Sequence, residues 1–163
     1  MNPSEDKFRW MYEHPELLKA VIARSSGAIG ELWVARKLEE RGYLVKPANI
    51  NARQCDLCVI SPQGREFSIE VKTVKAKGAP YLVRQCPDET ASIWFFVHAP
   101  RNDCGLPKDE EVTYRILTSI EVAAVWRARN RVPSSAPDIR WADLDAGSGG
   151  TELHRDRWDK LPA

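Results

Sequence analysis

Residues 67–73 carry the clearest pattern in the chain. Phe67, Ile69 and Val71 alternate with Ser68, Glu70 and Lys72. A period of two marks a strand with unlike faces, so 67–73 is expected as a strand. Asp56–Ile60 is a second candidate. Pro62-Gln63-Gly64 between them supplies turn chemistry, so the two are expected to form a hairpin. Tyr43-Leu44-Val45 is short and β-prone. Ile93–His98 is a strongly apolar fourth strand, and Val112–Leu117 alternates as a fifth.

Helical spacing appears on either side of these strands. Leu17, Leu18, Val21 and Ile22 share one face, so the segment 1–25 reads as one or two short helices. Ser25 or Ser26 can cap a helix over about 27–41 that stops at Gly42. Thr118 or Ser119 can cap another that runs to about Arg129. Val122, Val125 and Trp126 form its sheet-facing side. Residues 74–91 look mostly like loop. From Val132 the chain is rich in Pro, Ser and Gly (PSSAP, DAGSGG), and Trp141 and DRWDKL are expected to anchor it. The expectation is an α/β domain over 1–131 with a mixed sheet of four or five strands flanked by helices, followed by a docking tail over 132–163.

Composition narrows the picture only a little. A chain of 163 residues buries roughly 70% of its unfolded surface and needs no disulfide or structural metal. The apolar runs are short, as in Val122–Trp126, so no segment is expected to span a bilayer. The polar, acidic start MNPSEDKFRW does not read as a secretory signal, and the expected compartment is the cytoplasm. A net charge of +1 gives no bulk case for nucleic-acid binding. Four cysteines do not suggest a disulfide scaffold.

The chemistry lies in the hairpin. With Gln63 at its centre, Val59 faces Phe67, Ile60 faces Glu66, and Asp56 faces Glu70. Paired Cβ atoms sit about 4.5–5.5 Å apart, where like charges destabilise unless compensated. A divalent cation compensates well, and Mg²⁺ prefers carboxylate and water oxygens. Lys72 shares the face of Glu70 and can reach the same spot. The 27–41 helix adds Glu31, near the middle of an apolar arc of Ala28, Leu32, Val34, Ala35 and Leu38. Ile29 and Trp33 fall outside that arc. A carboxylate on a buried face needs a cation or a polar cleft. The plain alternative is a solvated hairpin face with Glu70 and Lys72 as a weak surface pair.

The order of parts is a helix with Glu (GAIGELWVARKLEERGYLV), a strand with Asp (CDLCVISPQG), and a strand with Glu-x-Lys (REFSIEVKTVK). It resembles the PD-(D/E)XK nuclease superfamily. The resemblance is closest to archaeal Holliday junction resolvases and related small predicted endonucleases, and it covers Gly27 to Lys75. It implies a restriction-endonuclease-like core and Mg²⁺-dependent hydrolysis of DNA, with Mn²⁺ able to substitute. Branched or structured DNA is one substrate class it suggests. Asp56, Glu70 and the backbone carbonyl of Val71 would be metal ligands. Lys72 would be the catalytic lysine and Glu31 an auxiliary acid. Many enzymes of this class cut two strands as homodimers. The family often has Pro before the Asp, where this chain has Cys55.

Other residues compete for attention. Arg53, Lys75, Lys77 and Arg84 flank the site and could track phosphates, or could simply be solvated. Tyr81 could stack on a base or pack in the core. Cys55-x-x-Cys58 with Cys86 and Cys104 invites a zinc reading, but positions i and i+3 on a strand face opposite sides. His14, His98 and His154 have no paired spacing. Trp94, Phe95 and Phe96 read as the core of a central strand. Two rivals to the enzyme remain: a nuclease-fold protein that binds nucleic acid or a partner without cutting, and a cysteine-metal interaction module.

Overall fold

The structure is a computed structural model. It describes residues 26–47, 55–88, 92–100, 108–130, 137–145 and 153–163. The helical segment expected over 1–25 lies outside the described residues, as does much of the Pro/Ser/Gly-rich tail.

Helix α1 spans Ser26–Glu39. It ends at Gly42, whose φ of 83° is open to glycine at no steric cost. The Gly42 amide donates to the Glu39 carbonyl and the Tyr43 amide to that of Leu38. The chain then enters β1 (Leu44–Pro47), β2 (Leu57–Ile60) and β3 (Glu66–Val74). Between β2 and β3, the Ser61 and Gly64 amides donate to the carbonyls of Arg65 and Ser61.

Strand β5 (Ile93–His98) pairs with β3 in parallel, and β6 (Thr113–Thr118) pairs with β5 antiparallel. The result is a five-stranded mixed sheet in the order β1-β2-β3-β5-β6. Helix α2 (Ser119–Arg129) starts at a capping box, in which the Glu121 amide donates to Thr118 Oγ1 and the Glu121 carboxylate accepts from the Thr118 amide.

Each face of the sheet has its own core. Ile69, Val71, Ile93, Phe95 and Val97 meet α1 on one side. Val74, Phe96 and Leu117 meet Val122 of α2 on the other. A central strand buried on both faces loses its alternation, which explains the apolar run of β5. Ile29 and Trp33 are buried with the rest of α1, so its apolar surface is wider than a single arc.

Two short strands emerge from what the sequence reads as loop and tail. These are β4 (Tyr81–Leu82) and β7 (Asp138–Ile139), which pair antiparallel. Trp126 ties them to α2 by donating its indole N–H to the Val83 carbonyl at 2.8 Å. A four-residue helix α3 (Trp141–Leu144) follows.

Residues 153–163 lie along the outer edge of β6. The Ile116 amide donates to the His154 carbonyl and the Asp156 amide to that of Tyr114. Trp158 packs against Phe95 and Tyr114, with the Arg41 guanidinium 3.8 Å from its ring centroid. This strip covers backbone groups that an edge strand would otherwise expose.

Candidate active site

The hairpin register pairs Leu57 with Ile69, Val59 with Phe67 and Ile60 with Glu66, as turn chemistry predicts. Asp56 leaves that ladder. Its amide donates to the Ile69 carbonyl at 2.9 Å, so Asp56 and Leu57 both meet Ile69 in the two-against-one pattern of a β-bulge. The bulge turns the Asp56 carboxylate onto β3, where Oδ2 accepts the Val71 amide at 2.7 Å. By register, that amide would have met the Cys55 carbonyl. Asp56 and Glu70 are therefore not a simple cross-strand pair. They are brought together by the bulge, and β3 continues beyond it without β2 alongside.

Helix α1 reaches this corner because Gly30 allows it. A Cβ at Gly30 would lie 1.9 Å from Thr73 Oγ1, so only a bare backbone packs this closely on β3. Glu31 is the next residue and is half-buried. Burial pushes its carboxyl above the ordinary value, Asp56 and Glu70 add repulsion, and Lys72 offsets part of it. Burial also raises the Glu70 carboxyl, and so does Asp56, against the lowering effect of Lys72. The Lys72 ammonium donates to Glu70 Oε1 at 2.5 Å and sits 5.7 Å from the Trp94 ring centroid. Among the described residues, three carboxylates thus share one ammonium in a partly desolvated corner.

Such a set suits a hard divalent cation: its donors are oxygens and its formal charge, with all groups ionised, is two units negative. Among the described residues, no three His, Cys, Asp or Glu side chains are gathered into a ready ligand set. The candidate donors for an ion are the carboxylates of Asp56 and Glu70 and the carbonyl of Val71.

Glu70 and Lys72 also line a cleft of about 690 Å³, walled by residues 82–88, Ser92 and Trp94. Arg84 lines this cleft. Lys75 and Lys77 do not; both bear on His98, at the far end of β5. Arg53 lies outside the described residues. Tyr81 is buried and packs edge-on against Phe96, so it is a core residue with no face for a base. Trp94 is not core like Phe95 and Phe96: it is half-buried and forms part of the cleft wall. Neither the cleft nor the role of Trp94 had a signal in the sequence, because the wall is made by the irregular segment 82–88.

The cysteines correct another expectation. The Cys55 and Cys58 sulfurs are 3.8 Å apart rather than on opposite faces. Cys55 precedes the strand, and the bulge shifts the side-chain alternation. Burial and the neighbouring Cys58 push the Cys55 thiol up to about 11. Cys86 is a free thiol on the cleft wall, and Cys104 lies outside the described residues. His98 ends β5, while His154 is buried against Lys160; His14 is not among the described residues. No helix among the described residues is long and apolar enough to cross a membrane. No family model matches the chain, and no curated protein matches it.

Proposed function

We propose that this chain is a Mg²⁺-dependent nuclease with a restriction-endonuclease-like core that hydrolyses DNA phosphodiester bonds. The observation that carries the reading is the convergence of Glu31, Asp56, Glu70 and Lys72 at the bulge, with two of the carboxyls raised by burial and mutual repulsion. Such perturbed groups beside a cleft are candidates for a functional site. Asp56, Glu70 and the Val71 carbonyl would hold the ion, Mg²⁺ or Mn²⁺. When bound, it supplies Lewis acidity toward the phosphate and activates water. Lys72 orients the attacking water and stabilises charge on the phosphoryl oxygens. Asp56 is held by the Val71 amide, which fixes the carboxylate before substrate arrives. Arg84 offers a phosphate contact at the cleft. A homodimer would place two such sites on opposing strands.

One observation favours the rival of a nuclease-fold protein that binds without cutting. The close Lys72–Glu70 pair commits both groups to each other. A single assay separates the two. Purified protein is incubated with linear, branched and single-stranded DNA in Mg²⁺, Mn²⁺ or EDTA. Metal-dependent cleavage by the native chain is expected, with its loss in folded Asp56→Ala, Glu70→Ala and Lys72→Ala variants. Undiminished cleavage by any of the three overturns the assignment. Calorimetric Mg²⁺ binding without cleavage of any substrate selects the silent rival.

A further inference from the structure

The cleft beside Glu70 and Lys72 has features that phosphodiester hydrolysis alone does not call for. Leu82 is 58% exposed and lines it, although the neighbouring Tyr81 and Val83 are buried. Strand β4 and the Trp126–Val83 hydrogen bond fix this segment, so Leu82 is held at the cleft by a rigid frame. Trp94 adds an indole whose ring stacks on Phe96, with centroids 6.1 Å apart and 21° between planes. Arg84, Gln85 and Ser68 add one cation and neutral hydrogen-bonding groups. The wall thus combines an apolar aromatic surface, polar groups and one exposed positive charge.

We infer that this cleft takes one unpaired nucleotide of a DNA strand, with its base against Trp94 and Leu82 and its phosphate on Arg84. The inference rests on the nuclease reading of the adjoining site. About 690 Å³ lies within the range of small-ligand pockets. A base presents apolar faces and a polar edge, matching Trp94 and Leu82 on one hand and Gln85 and Ser68 on the other. A paired base has its faces covered by neighbours and cannot use the indole. Asp88 also lines the cleft, which suits a single phosphate near Arg84 better than a continuous run of phosphates. Lys72 bears on both places, since it pairs with Glu70 and lies over the Trp94 ring. A strand whose unpaired nucleotide enters here therefore carries its neighbouring phosphodiester to the acidic corner. The substrate class becomes DNA with a single-stranded end, flap or branch.

The test is fluorescence anisotropy of a labelled single-stranded oligodeoxynucleotide and of the blunt duplex of the same sequence. The full chain is used, with EDTA present so that no strand is cut. The single strand is expected to bind more tightly than the duplex. Trp94→Leu is expected to weaken single-strand binding about 5- to 150-fold, the range for loss of one stacked base. Leu82→Ser, on an exposed side chain that leaves the core intact, is expected to weaken it less. Both variants are expected to leave duplex binding unchanged. Native single-strand affinity in folded Leu82→Ser and Trp94→Leu overturns the inference, as does equal loss on both substrates. Cleavage measured separately with Mg²⁺ present keeps the two readings apart. Trp94-dependent single-strand binding by a native chain that cuts nothing sustains the cleft and removes the nuclease. Cutting that needs Lys72 but ignores Trp94 and Leu82 on every substrate does the reverse.

Discussion

Two partly buried acid–lysine clusters sit on the same domain, and they differ in sign. At the bulge, Glu31, Asp56 and Glu70 share Lys72, and burial leaves the Glu31 and Glu70 carboxyls raised. At the start of α2, Glu121 is also pushed up by burial. There the Lys160 ammonium and the Thr118 cap more than offset the penalty and leave it lowered. Lys160 donates to both Glu121 oxygens at 2.8 Å and contacts His154 Nδ1 at 3.0 Å. The second cluster has its partners and fastens the C-terminal strip to the sheet. Among the described residues, the first is short of positive charge. Under the proposed function, a bound cation would make up that deficit.

The comparison is broken most directly by activity. Asp56→Ala, Glu70→Ala and Lys72→Ala are each expected to lower DNA cleavage by at least about 10²-fold, the scale for losing one group that stabilises transition-state charge. Glu121→Gln is expected to leave the rate unchanged, although it alters a carboxylate that is likewise partly buried and paired with a lysine. Initial rates on one labelled substrate check both. An equal loss at Glu121 would mean that the assay reads folding rather than chemistry.

Next in size is the contact that brings Glu31 to the corner. Gly30→Ala would put a Cβ 1.9 Å from Thr73 Oγ1 and 3.0 Å from its Cβ. Thr73 is stiff at χ1 and cannot swing clear. The overpacking is expected to cost about 1–3 kcal/mol, despite alanine's better helix propensity. Thermal denaturation checks it, at about 2–4 °C per kcal/mol for a chain of this size. Adding Thr73→Ala in the same chain should recover part of the loss, because the two positions share one contact.

The limits of the sequence reading fall at this same corner. The register of β2 on β3 was legible, because a Pro-Gln-Gly turn and strict alternation determine it. Helix α2 was legible from a capping Thr118 or Ser119 and the helical spacing of Val122, Val125 and Trp126. The bulge was not, since it adds one residue to a strand without a mark in the pattern. One slip therefore misplaced both Asp56 and the Cys55–Cys58 pair. Tyr81 and Trp94 were hidden for a related reason. Which aromatic lines a cleft and which fills a core depends on the 82–88 segment, and its fold is set by α2 and β7 far along the chain. Glu31 was visible as an acid among apolar residues, although the width of the buried surface was not.

A smaller effect is expected on the tail side. Lys160→Ala removes the ammonium that balances Glu121 and contacts His154. Glu121 is more than a third exposed, so solvent screens much of the loss. The destabilisation is expected to be about 1 kcal/mol, read as a lower midpoint in urea. Added salt should narrow the gap between the two proteins, whereas a gap independent of salt would place the loss in packing of the lysine stem.

Glu31→Gln should act in the opposite sense and by the least. The folded-state value of Glu31 lies above its ordinary 4.5. Between those two values the folded chain holds a proton that the unfolded chain has released. The stability tied to that proton is fully present below pH 4.5 and is lost as pH rises through the folded-state value. Above that value burial and the charges of Asp56 and Glu70 oppose the ionised Glu31 in the folded chain. Glutamine keeps the shape and removes the charge. Glu31→Gln is expected to melt higher than the native chain at pH 7, with the difference shrinking as pH falls and vanishing below about 4.5. Calorimetry of both proteins from pH 4 to 8 measures it. A variant that melts lower at pH 7 would show Glu31 to be as well balanced as Glu121, and the contrast between the clusters would fail at its most distinctive residue.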